Sequence, residues 1–153
     1  MSNWDAETQG WESIVYSATL GWDEPFTAEV NGAYMITVQV DAAEVIDVVL
    51  KGTIPESPVY NILETQTTDL NFIMVPYDFT DNWGVSGDVM ASDLGNDMGT
   101  DNTIMISKWD AASQSWISCV YIAGLHNWLN NYQIEAGMSI VVGAVQNFTW
   151  PNN

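Results

Sequence analysis

The amino-acid sequence predicts an all-β fold: a β-sandwich of antiparallel strands with one short α-helix. Three observations carry this expectation. Most segments are short, and they alternate apolar with polar positions or are rich in β-branched and aromatic residues. Turn residues separate them at short intervals. Two distant stretches also say nearly the same thing, "NWDAETQGWESIVYSATL" (Asn3 to Leu20) and "KWDAASQSWISCVYIAGL" (Lys108 to Leu125). Such an internal repeat bears on the architecture of the whole chain.

The elements follow in order. "ESIVYSA" and its counterpart "ISCVYIA" read as strands, as do "AYMITVQV" and "SIVVGAV". "EVIDVVLKG" is another, closed by Gly-Thr-Ile-Pro. "VYNILETQ", a "TTD" connection and "LNFIMVP" read as a hairpin whose second strand ends at Pro76, since proline cannot donate to a ladder. "NTIMISKWD" is a strand leading into the second tryptophan motif. Gly32 and Gly137 precede strands at matching places and suit turn backbone with positive φ. The one helix is expected in "SGDVMASDLGNDMG", residues 86–99, where Val89, Leu94 and Met98 have roughly helical spacing. Ser86 or Ser92 would cap it and Gly99 would close it.

Shifting the chain by 105 residues brings Trp4 onto Trp109, and ten of the seventeen positions from Trp4 to Leu20 are then identical. A one-residue slip continues the match, with Trp22 on Trp128 and Phe26 on Tyr132. Residues 1–50 are therefore expected to form a half-module. Residues 51–153 would form a complete one, made of a unique segment (51–107) and the second copy (108–153). The alternative is a single sandwich in which the two merge.

Charge narrows the function. Twenty acidic residues face two lysines and no arginine, for a net charge of −18. Phosphate binding needs Lys or Arg to displace counterions, so nucleic acid is not an expected partner. No run of 18 apolar residues is present, so no membrane insertion by a helix is expected. The N-terminal "MSNWDAETQGW" lacks the basic and apolar regions of a signal peptide. The single cysteine, Cys119, cannot form an intramolecular disulfide and lies opposite Ile14 of the first copy. A position that accepts isoleucine reads as core, so an inert buried thiol is expected.

The "WDA" motifs read as hairpins. Asp5 and Asp110 would bond turn backbone, while Trp4 would face Trp11, and Trp109 would face Trp116, across the strands. The search for catalysis finds little. His126 is the only histidine and matches Gly21, so it reads as a loop residue. Glu29 and Glu135 correspond, and a glutamate before a turn glycine suits turn bonding better than chemistry. No cofactor is required, and calcium is the one ion the sequence provides for. "DLGNDMGTDN" offers hard oxygens from Asp93, Asp97 and Asp101, with Asn96 and Asn102 beside them. Trp22, Trp83 and Trp128 sit in loops and are the expected stacking platforms if the ligand is a glycan.

"FIMVPYDF", "ASDLGNDMG", "ISKWDAASQSW" and "IEAGMSIVV", in that order, resemble the tandem modules of large secreted and surface-anchored proteins of bacteria and some archaea. The resemblance covers residues 59–150 once and residues 3–50 as a half. It departs at Ala136, where those modules carry proline, and after Gly137, where they carry an aromatic residue. It implies an extracellular or cell-surface location and a non-enzymatic structural role. An N-terminal half-module has strand edges and an apolar face to satisfy. Self-association through strand edges, as a filament or surface layer, is therefore the leading expectation. A carbohydrate-binding or calcium-dependent adhesion module is the alternative.

Overall fold

The computed structural model describes residues 1–23, 34–37, 59–64, 69–75 and 88–151. Among these the chain is all-β with antiparallel sheets and one helix. A three-stranded sheet joins β1 (Ser2–Asp5), β2 (Gly10–Ser13) and β5 (Tyr34–Met35), with β1 in the middle. A small ribbon pairs β3 (Tyr16–Ser17) with β4 (Gly21–Trp22). A second ribbon pairs β6 (Tyr60–Ile62) with β12 (Phe148–Trp150). The main sheet has five strands in the order β10 (Asn127–Leu129), β9 (Ser115–Ile122), β8 (Thr103–Asp110), β11 (Ser139–Ala144) and β7 (Asp69–Met74). The helix α1 spans Ala91–Met98.

The main sheet has two different faces, because successive side chains on a strand point to opposite sides. Asn71, Val142, Ile106 and Cys119 lie opposite one another across four strands and are all buried. This inner face carries the core, which includes Leu94 and Met98 of α1, Ile62 of β6 and Trp150 of β12. The next row, Phe72, Val141, Ser107 and Ser118, points the other way. That outer face meets the N-terminal hairpin.

Three expectations change. The helix starts at Ala91 rather than Ser86. The backbone before it pairs with the segment after β10: Ala91 N–H donates to the Tyr132 carbonyl and Ile134 N–H to Val89. Those bonds hold residues 89–91 extended, so the helix begins after them. Ser92 is not the cap. Asp93 in the first turn instead accepts the Met90 N–H at 2.9 Å. Ala91, Leu94, Gly95 and Met98 form its buried stripe, and Gly99 closes it at φ 92°. Second, β6 and β7 are not a hairpin, because β6 pairs with β12. Asn71 explains how β7 manages without it. Its buried side chain accepts the Leu63 N–H at 3.0 Å and donates to the Leu63 carbonyl at 2.9 Å, in place of a ladder partner. Third, "ESIVYSA" is not one strand. It breaks after Ser13, where Asp23 accepts the Val15 N–H, whereas β9 runs unbroken through the matching residues.

Other expectations hold. Cys119 is fully buried, and burial pushes its thiol up to about 11, so it stays protonated at neutral pH. Gly137 has φ 77°. Gly32 and "EVIDVVLKG" lie outside the described residues.

Candidate functional site

The two "WDA" hairpins are built alike. Trp4 pairs with Trp11, with ring centroids 5.1 Å apart at 70°, and Trp109 pairs with Trp116 at 5.3 Å and 70°. Both contacts are edge-to-face, the favoured geometry for aromatic quadrupoles. Each turn ends on a glutamine at φ 52°, Gln9 or Gln114. A left-handed glutamine is uncommon, and each is anchored by its own amide, which donates to the carbonyl of Ala6 or Ala111. Below each tryptophan pair two serine hydroxyls meet, Ser2 with Ser13 at 2.8 Å and Ser107 with Ser118 at 2.7 Å.

The aspartates hold the turns. Asp5 accepts the Thr8 hydroxyl at 2.6 Å and the Glu7 N–H at 2.9 Å. Asp110 accepts the Ser113 hydroxyl and the Ala112 and Ser113 N–H groups. The Thr8 hydroxyl, then the Glu7 amide, hold the Asp5 carboxyl below its ordinary range. The Ser113 hydroxyl, then the Ala112 amide, do the same for Asp110. A depressed folded pKa means these bonds contribute fully above the ordinary carboxylate pKa. They are lost as the pH falls through the depressed value. The expected result is that both carboxyls titrate below a free aspartate, read from their carboxyl carbon shifts by NMR. Normal titration would mean the turns do not hold in solution.

The hairpins differ in what they touch. Gln9 accepts the Leu70 N–H at 2.9 Å and donates to the Leu70 carbonyl at 3.1 Å, on the edge strand β7. The Trp4 indole N–H donates to the same carbonyl at 2.6 Å. Trp4 and Trp11 pack on Phe72 at 5.1 and 4.9 Å. The N-terminal hairpin is thus seated on the outer face of the main sheet. Between them lies a cleft of about 760 Å³, lined by Trp4, Trp11, Met35, Phe72, Met105 and Trp116 among others. Trp11 and Trp116 remain exposed at its rim, and with the exposed Trp109 they also line an adjoining pocket.

The second contrast lies on the other side of the hairpins. In the C-terminal copy, Tyr121 of β9 lies opposite Trp128 of β10, with centroids 5.4 Å apart. In the N-terminal copy, Tyr16 lies opposite Trp22, also at 5.4 Å. The residue before each turn-out is left-handed, Gly21 at φ 78° and His126 at φ 49°. Yet Trp128 is 7% exposed and Trp22 is 54% exposed. The helix accounts for the difference. The Trp128 indole N–H donates to Asn96 Oδ1 at 2.9 Å. Its ring lies so close to Gly95 that a Cβ there would fall 2.2 Å from Cζ2. Nothing among the described residues covers Trp22 in this way.

The candidate residues therefore part company. Trp22 is exposed as expected but lies on β4 rather than in a loop, Trp83 lies outside the described residues, and Trp128, on β10 rather than in a loop, is a core residue and not a stacking platform. Asp93 caps α1, Asp97 accepts the Trp150 indole N–H at 2.7 Å, and Asp101 is exposed in the following turn. Among the described residues, no three acidic, histidine or cysteine side chains gather as a metal cage. His126 is exposed, and Glu135 contributes its carbonyl to the Gly137 turn. Sequence reasoning missed Phe72 and Gly95. A glycine inside a helical pattern costs about 1 kcal/mol against alanine, which is a signal that packing requires it. No family model, curated protein or solved structure matches the chain.

Proposed function

We propose that this chain is a non-enzymatic structural module of an extracellular or cell-surface setting that self-associates. The observation that carries the reading is the uncovered Tyr16–Trp22 face of the N-terminal hairpin. Its counterpart in the same chain is buried. The face lies on a two-stranded ribbon, which pairs with no further strand among the described residues. An aromatic patch of this kind gains on burial from area and from ring contacts. The net charge of −18 opposes contact between copies. At physiological ionic strength the screening length is about 8 Å, so association strengthens as salt is added. Light scattering across a concentration series at low and moderate salt tests this. Assembly should appear in salt and weaken in Trp22→Ser. A monomer at every concentration and salt level would end the reading.

The glycan reading rests on a different observation, the exposed Trp11 and Trp116 at the cleft with serine pairs beside them and the exposed Trp109 in the adjoining pocket. Indole faces suit the C–H faces of a sugar ring, and hydroxyls suit its polar edge. The acidic chain favours a neutral polysaccharide. Unchanged tryptophan fluorescence on adding such polysaccharides would count against it.

A further inference from the structure

We propose that the Tyr16–Trp22 face is a seat for a short helix of α1 chemistry, supplied by another module of this kind whose helix is not already seated on its own tryptophan. The inference rests on the self-association reading and names the element that fills the site. The interface it invokes already exists once within the chain. There α1 lies on the Tyr121–Trp128 pair, with Gly95 against the indole ring and Asn96 accepting its N–H. Tyr16 and Trp22 repeat that pair in residue type, strand register and centroid distance.

The seat specifies its occupant. A residue without a Cβ must face the indole, because in the existing interface even a Cβ would collide with the ring. An amide oxygen on the following residue must meet the indole N–H, as Asn96 does. A bare indole N–H buried under apolar groups would lose its water without compensation. Helix α1 cannot fill both seats. It is held by Trp128, by the Met90 bond of Asp93, and by the Trp150 bond of Asp97. The described residues thus contain two seats and one helix, and the second helix is assigned to another module.

A chain extended upstream tests this. Residues 51–107 are repeated ahead of Asn3, so that the added Ser107 takes the place of Ser2 and the added helix stands one residue closer to Trp22 than α1 does to Trp128, the one-residue slip between the copies. The probe is 5-fluorotryptophan NMR, with Trp22 assigned by Trp22→Phe. The solvent isotope shift of Trp22 is expected to fall to the level of Trp128. Gly95→Leu in the added copy alone should restore it, while the Trp128 resonance stays unchanged as evidence that the original body is folded. Trp22 left exposed in the extended chain, or protected equally with Gly95→Leu, overturns the proposal. Light scattering separates it from the broader reading. A parent chain that stays monomeric while the extended chain buries Trp22 removes self-association and keeps the seat. A parent that assembles while the extended chain leaves Trp22 exposed removes the seat and keeps self-association.

Discussion

Replacing Trp150 with alanine is expected to lower stability by about 3–5 kcal/mol, the range for removing a large aromatic side chain from a packed core. Trp150 is fully buried near the C-terminal end of the described chain. It stacks on Tyr60 with centroids 5.8 Å apart and planes 17° from parallel. It lies opposite Tyr60 in the β6–β12 ribbon, so the ring contact and the strand pairing are one unit. The Tyr60 hydroxyl donates in turn to the Met74 carbonyl, and burial raises its pKa to about 12. Loss of the indole would therefore open a cavity and loosen the ribbon against β7. Asp97 would lose its indole partner but is exposed and can rehydrate. The cavity thus decides the cost. Urea denaturation followed by circular dichroism measures it. Domain stabilities of about 5–15 kcal/mol make such a loss large enough to leave part of the population unfolded. A loss under about 1 kcal/mol would show that the ribbon is not part of the core.

Gly95→Ala tests the helix seat inside the chain. Two effects compete. Alanine favours a helix over glycine by about 1 kcal/mol. Against this, the new Cβ would stand 2.2 Å from Trp128 Cζ2 and 2.4 Å from Cη2. Overpacking of a filled core costs about 1–3 kcal/mol. The indole cannot simply move aside, because Asn96 holds its N–H and Tyr121 packs beside it. The cost is thus expected at the upper end of that range, for a net loss of about 1–2 kcal/mol. The environment of Trp128 should change, visible as a shifted indole resonance. A stabilised Gly95→Ala protein would mean the indole is free to shift, and the requirement for glycine at the seat would fall with it.

Much of the local structure was legible in the residues themselves. The "WDA" turns follow from aspartates that bond backbone two and three residues on, and the facing tryptophans follow from hairpin register. The burial of Cys119 followed from its correspondence with Ile14, because a site that accepts isoleucine needs no reactive thiol. The turn at Gly137 followed from its place before a strand. The helix was legible in its spacing and its closing glycine. Its start was not, because the bonds that keep residues 89–91 extended come from Tyr132 and Ile134, some forty residues away.

What only the tertiary structure decided is which segment covers which face. β6 and β7 are close in sequence and look like a hairpin, yet β6 pairs with β12 while Asn71 supplies the missing contacts. Gln9 and Gln114 hold the same turn conformation, yet only Gln9 grips Leu70 of the edge strand among the described residues. Trp22 and Trp128 occupy the same place in the same motif and differ in exposure because one lies under Gly95 and the other does not. Periodicity and turn chemistry act between residues a few positions apart, so the sequence by itself determined the strands, the turns and the repeated hairpin. Burial depends on contacts across the whole chain, and two like stretches of sequence part company there as soon as one has a helix above it.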